Sequence, residues 1–273
     1  MRKQILYLIK IFNDVKMFIR AKRLHVSRRI EHPVNSISGK SLIIVPHADD
    51  ELIGCYQFIS THREQAILFY CNYLGCNYSK TNERLRKAEF EQFCQAIGIK
   101  YIIANHDVQK SLDDAINSTK PQNILLPSIV DWHHEHRLAN TILETHLKQN
   151  PSSSVKKIIW YHISVPMYGS VANYACCMTR CEQNTKWQCF SDYYPSQRFI
   201  NVYRFKLAER DCMTGCYAAE TFRILAPDNF LKIIEIGQKF SEQLDELKIQ
   251  LSDYSKLVEK TTQLYKNIIL INM

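Results

Sequence analysis

Between residues 41 and about 165, short β-branched apolar runs alternate with amphipathic helical stretches, and few architectures accept that order. Ser41-Leu42-Ile43-Ile44-Val45-Pro46 is too short for a core helix and too apolar for a loop, so it reads as a buried parallel strand. Ala66–Tyr70, Tyr101–Ala104, Asn123–Pro127 and Ile158–His162 repeat that signature. Helical patterns fall between them, from Asp50 to about Arg63 and over Glu83–Ile97, Ser111–Thr119 and Arg137–Gln149. Gly98 stops the second of these, and Ser111 is a candidate N-cap of the third. The expected fold is α/β: a mostly parallel sheet flanked by helices.

Two polar clusters stand directly after strands. His47-Ala48-Asp49-Asp50-Glu51 follows the first, and Asp131-Trp132-His133-His134-Glu135-His136 follows the fourth. In open α/β sheets ligands bind beyond the strands' carboxyl ends. Carboxylates and imidazoles there are costly to desolvate without compensation, and a divalent metal compensates well. A catalytic zinc needs three protein ligands and an open position. His47, Asp50 and His136 supply a His2Asp set. Asp49 is then free as general base, and His133 as proton donor or oxyanion stabiliser. Each piece has a plainer reading: a lone histidine is commonly structural, and paired aspartates commonly cap a turn. The joint placement at two strand ends is what points to one shared ion.

Composition removes several other functions. Only seven glycines occur, and no G-x-G-x-x-G or P-loop pattern is present. The net charge of +8 sits wholly in residues 1–30, where nine Lys and Arg residues face Asp14 alone. The remainder is formally neutral, so the body is not a nucleic-acid surface. The first 30 residues interleave that charge with Ile5, Leu8, Phe12 and Phe18, a basic amphipathic helix able to lie on anionic lipid or to pack on its own domain. No apolar run reaches the roughly 20 residues that a spanning helix needs. The ten cysteines fit no trusted zinc spacing, and free thiols in a reducing cytoplasm are the expectation, with peripheral membrane contact through residues 1–30. Residues 165–200 read as an irregular, aromatic lobe or lid. From about 228 onward the pattern is one long helix, with Phe240, Leu244, Leu247, Leu251, Tyr254, Val258, Thr261 and Tyr265 at alternating steps of four and three. That seam serves either intramolecular packing or a homodimer. Three segments follow: 1–40 basic, 41–227 catalytic and 228–273 helical.

Pro46-His47-Ala48-Asp49-Asp50-Glu51 resembles the P/A-H-P-D-D-E signature of the PIG-L/LmbE-like N-acetylglucosaminyl deacetylases, with alanine in place of the usual proline. Asp131-x-His133-x-x-His136 is similar to the family's D-x-H-P-D-H, with His134 and Glu135 replacing two residues that are not ligands. Arg86-x-x-Glu89 ahead of Gly98, Asp107 after the third strand, and Tyr217-x-x-Glu220-x-Phe222 match further elements, so the resemblance spans about 41–225. It implies a Rossmann-like zinc hydrolase, with another divalent ion possible in zinc's place, that removes acetate from an N-acetylglucosamine-type conjugate; the basic start of the chain fits a substrate held at a membrane, as in surface-glycan or glycolipid synthesis. By motif, His47, Asp50 and His136 bind the metal. Asp49 is the base, His133 the acid or oxyanion stabiliser, and Arg86 and Asp107 contact the sugar. The alternatives are an amidohydrolase acting on another small N-acyl conjugate, or an inactive metal-binding scaffold.

Overall fold

A computed structural model describes residues 37–72, 80–165, 167, 171–211, 216–252 and 254–269. The basic amphipathic helix expected within residues 1–30, and Cys76 and Cys212, lie outside the described residues. One seven-stranded sheet organises what is described, in the order β3-β2-β1-β4-β5-β7-β6. β1 (Ser41–Val45), β2 (Ala66–Tyr70), β3 (Lys100–Ile103), β4 (Asn123–Pro127) and β5 (Lys157–Tyr161) run parallel. β7 (Ala218–Leu225) pairs antiparallel with β5, and β6 (Tyr174–Met178) antiparallel with β7. Nine helices are found among the described residues: α1 (Asp50–His62), α2 (Lys80–Ile97), α3 (Val108–Thr119), α4 (His134–Gln149), α5 (Arg180–Tyr193), α6 (Val202–Asp211), α7 (Pro227–Gln238), α8 (Ser241–Glu246) and α9 (Tyr254–Ile269).

The central strands are buried on both faces, which explains their unbroken apolar runs. Leu42, Ile44, Ile124, Leu126, Ile158 and Trp160 face one layer, formed chiefly by α3, α4, α7 and α9. Ile43, Val45, Leu125, Ile159 and Tyr161 face the other, formed by α1, α2 and α5. Chain order reverses between β1 and β4, which pair side by side. Both polar clusters leave the sheet at that switch point, where a crevice opens by topology alone.

Three expectations change. The third helix starts at Val108 rather than Ser111, because the Asp107 carboxylate accepts the Lys110 amide at 2.9 Å and caps it earlier. Within 165–200, strand β6 and helix α5 replace the expected irregular lobe, with a Thr179–Glu182 capping box starting the helix. The C-terminal pattern is not one rod. It breaks after α7, and α8 leads through the 3-10 turn Leu247–Ser252 into α9. Folding back lets Phe230, Ile233 and Ile234 of α7 and Leu257, Val258, Tyr265 and Ile268 of α9 enter a single core. A straight helix could not deliver both sets to the sheet. Of the seam, Leu244, Leu247, Val258, Thr261 and Tyr265 are buried within this chain. No helix among the described residues is long and apolar enough to cross a membrane.

Candidate active site

β1 ends in a turn that reverses quickly into α1. Asp49 takes φ 138°, a region that L-residues rarely adopt. Its carbonyl accepts the Ile53 amide at 2.9 Å, so the strained residue is also the helix cap. Strain of this kind persists only where the surroundings enforce it, and it gathers at functional sites. Here the enforcement is visible. The Glu51 carboxylate accepts the Asp49 amide at 3.2 Å, and the Tyr194 hydroxyl donates to the other Glu51 oxygen. Burial pushes Glu51 up to about 8, so it keeps its proton near neutrality.

The turn aims Asp50 at two histidines. Asp50 Oδ2 lies 3.2 Å from His47 Nδ1 and 3.3 Å from His136 Nε2, and the two nitrogens are 3.1 Å apart. A triangle with such edges allows one ion to sit about 2 Å from every corner, the usual bond length of zinc to imidazole and carboxylate. The donor set, two nitrogens and one carboxylate oxygen, suits zinc and leaves a face open. These residues therefore fit the group. Burial pushes the Asp50 carboxyl up, but the imidazoles of His136 and His47 outweigh it and hold the carboxyl far below the usual range. His136 is pulled up to about 9 by Asp50 and Asp131 against its own burial. His47, His133 and Glu135 form a second, overlapping group of possible ligands.

β4 supplies the other half. Asp131 accepts the His133 amide at 2.9 Å, and its second oxygen lies 3.0 Å from His136 Nδ1. One carboxylate thus sets the turn and orients the ring of His136, as outer carboxylates do in metal sites. His133 occupies the N-cap position of α4, with its ring centroid 5.1 Å from that of His47. Its Nδ1 is 3.5 Å from Glu135. Burial and the neighbouring His136 push His133 below its ordinary value, so its resting form is neutral and it must gain a proton before it can donate one.

Arg86 is only 5% exposed, and its guanidinium is part of the site's frame. It donates to the Ala48 carbonyl, lies 3.1 Å from Asp49 Oδ1, and reaches Ser196 Oγ at 3.1 Å and Glu89 at 3.5 Å. Ser196 in turn donates to Glu89 from its amide and its hydroxyl. Burial pushes Asp49 up to about 6, with the Arg86 guanidinium pulling the other way. The expected sugar contact at Asp107 is not supported: it caps α3 at an exposed corner and does not line the cavity. A cavity of about 460 Å³ opens onto His47, Asp49, Asp50, His133 and His136, walled by Trp132, Ile163, Phe199, Ile200 and Phe205.

Sequence reasoning gives no role to Asp131, Glu51 or Tyr194. Asp131 and Glu51 stand inside the two quoted motifs, which is the available signal. Tyr194 comes from 143 residues beyond Glu51, and nothing local announces it.

Residues 42–146 match the family model described as PIG-L, GlcNAc-PI de-N-acetylase. Over that stretch the chain is PIG-L-like. The match begins at β1 and ends within α4, so it contains both polar clusters. Among solved structures, N,N'-diacetylchitobiose deacetylase from Pyrococcus horikoshii superposes with a TM-score of 0.52 at 18% identity, over 74% of this chain and 88% of that one. A conserved protein from Thermus thermophilus gives 0.53 at 15%, over 70% and 96%. A deacetylase of the teicoplanin biosynthetic pathway gives 0.53 at 13%, over 68% and 98%. At these identities the likeness is one of fold alone. No curated protein matches the chain in sequence.

Proposed function

We propose that this protein hydrolyses the acetamido group of an N-acetylglucosamine-type conjugate and releases acetate. The observation that carries the reading is the convergence of His47, Asp50 and His136 on one point at the β1–β4 switch, with Asp49 and His133 opening onto the same cavity. The PIG-L match and the deacetylases among the structural neighbours support the acetamido substrate. His47, Asp50 and His136 would hold zinc. When bound, the ion supplies positive charge to polarise an acyl oxygen and to acidify water.

The remaining work falls to this chain's own groups. Asp49, near 6, is ionised at neutral pH yet still basic enough to take a proton from the attacking water. Arg86 fixes that carboxylate in place through Oδ1. His133 rests neutral, takes up the proton transiently and hands it to the departing amine. Glu135, 3.5 Å from its Nδ1, favours the imidazolium during that passage. Trp132 and Phe205 give the cavity beside these groups an apolar wall.

Acetate release measured on zinc-loaded protein tests the reading, with N-acetylglucosamine conjugates set against simple acetamides. Turnover of the sugars with little turnover of the simple amides is expected. Equal turnover of both would remove the sugar from the proposal, and none on either would remove the reaction.

A further inference from the structure

Among the described large hydrophobic residues, the two most exposed are Phe199 at 77% and Ile249 at 71%. They are 50 positions apart in sequence, yet each belongs to a segment that touches the lining of one cavity. Phe199 lines its wall directly. Ile249 follows Lys248, whose ammonium sits 5.4 Å over the Trp132 ring, and Trp132 lines the same cavity. Leu247, fully buried, anchors that segment to the core, and Tyr203, on α6, is 37% exposed. Single exposed apolar residues are ordinary; two bulky ones on segments that meet the lining of one cavity are not.

Charge surrounds them. Arg198 and Lys248, each next in sequence to one of the apolar pair, are both exposed. On the α8 side, two of the acids are already engaged by cations: Asp245 is paired with Arg137, and Glu246 lies 3.7 Å from Lys260. The whole formal excess of the chain, +8, lies in residues 1–30. Apolar tips flanked by cations, on a chain with a strongly basic segment, match the surface of an anionic bilayer: the tips enter the headgroup boundary and the cations meet lipid phosphates.

We infer that the mouth of the cavity is a bilayer-docking face, with Phe199 and Ile249 as its inserted tips and Arg198 and Lys248 as its lipid-phosphate contacts. The face brings the cavity against the lipid, so a substrate would enter from the membrane side. The inference does not depend on the deacetylase reading, because partition onto vesicles reports no turnover.

The test is flotation of the full chain with vesicles of phosphatidylcholine alone or with about one-third phosphatidylglycerol. The expected result is binding to the anionic vesicles that weakens with salt. The Phe199→Ser/Ile249→Ser pair should lower that partition about tenfold while the melting temperature holds. Arg198→Glu/Lys248→Glu should lower it on anionic vesicles only. The inference is overturned if the native chain ignores both vesicle types. It is also overturned if the serine pair floats like the native chain, since residues 1–30 then bind alone. Self-association that the serine pair abolishes, without vesicle binding, would make the face a contact between copies and overturn it too.

Discussion

At the scale of single residues, the site turns on how Asp49 is held. On the proposed reading Asp49 is the base, and its carboxylate accepts a proton only when ionised, so kcat/KM should fall as pH drops through its pKa, which burial raises and Arg86 lowers. Arg86→Gln removes the lowering influence. The acid limb of the pH–rate profile should therefore move to higher pH, and a merely structural role for Arg86 would not move it. Asp49→Asn should keep zinc and lose about 10²- to 10⁴-fold in turnover, the usual worth of a general base. Ordinary deacetylation by that variant would sink the assignment. His136→Ala opens one corner of the triangle, so metal analysis should show zinc lost. Stoichiometric zinc in the purified variant would take His136 out of the ligand set. The ligand-type residues are legible in the sequence because they cluster beside strands. The burial of Arg86 is not: α2 read alone is a charged surface helix, and the Tyr194–Ser196 segment, over 100 residues later, helps to cover it.

At the scale of elements, α1 carries Asp50 and must approach the sheet closely. Gly54 permits this: a Cβ there would lie 2.4 Å from the Tyr161 ring and 3.2 Å from the His162 carbonyl. Tyr161 cannot retreat, since it is fully buried and its hydroxyl donates to the Ile44 carbonyl at 2.7 Å. Gly54→Ala should therefore cost about 1–3 kcal/mol by overpacking, read as a lower denaturation midpoint, despite alanine's better helix propensity. A midpoint at or above that of the native chain would show that the helix has room. One residue earlier on α1, the buried Lys186 ammonium of α5 donates to the Ile53 carbonyl at 2.7 Å and pairs with Glu220 and Glu209. Glu220 accepts the Gln57 and Phe58 amides, so β7 and α5 grip the helix through its backbone. That grip explains why β7 is not legible as a strand. Glu220 and Arg223 interrupt its apolar run, and the reason for Glu220 is a counter-ion 34 residues upstream. β1 to β5 are legible because burial on both faces leaves continuous branched runs. The seam in the C-terminal region is apolar as its spacing suggests, but that spacing does not tell a straight helix from one folded back on its own core.

At the scale of the whole molecule, the parallel half of the sheet places the ligand-type residues, and the antiparallel half builds the wall they face. The wall is long-range in sequence: β6, α5, α6 and β7 return to β5 and cover α1 and α2 from 174 to 225. One covalent link closes that excursion. Cys177 of β6 is bonded to Cys216, 39 positions on, with Cα atoms 5.8 Å apart. The expectation of free thiols fails at these two positions, while Cys55, Cys71, Cys94, Cys176, Cys181 and Cys189 are free. Spacing alone could not reveal the pair, because β6 and the approach to β7 meet only once the sheet has formed. A loop of this size, closed in the unfolded chain, is worth about 2–4 kcal/mol of stability. α5, α6 and the cavity residues Phe199, Ile200 and Phe205 all lie inside it. Cys177→Ala/Cys216→Ala should therefore lower the melting temperature and loosen this wall first, seen as faster amide exchange in 180–211 than in β1 or β4. Alkylation before and after reduction, read by intact mass, checks the bond itself. If reduction exposes no additional thiols, the wall is held by packing alone, and the double variant should then melt with the native chain.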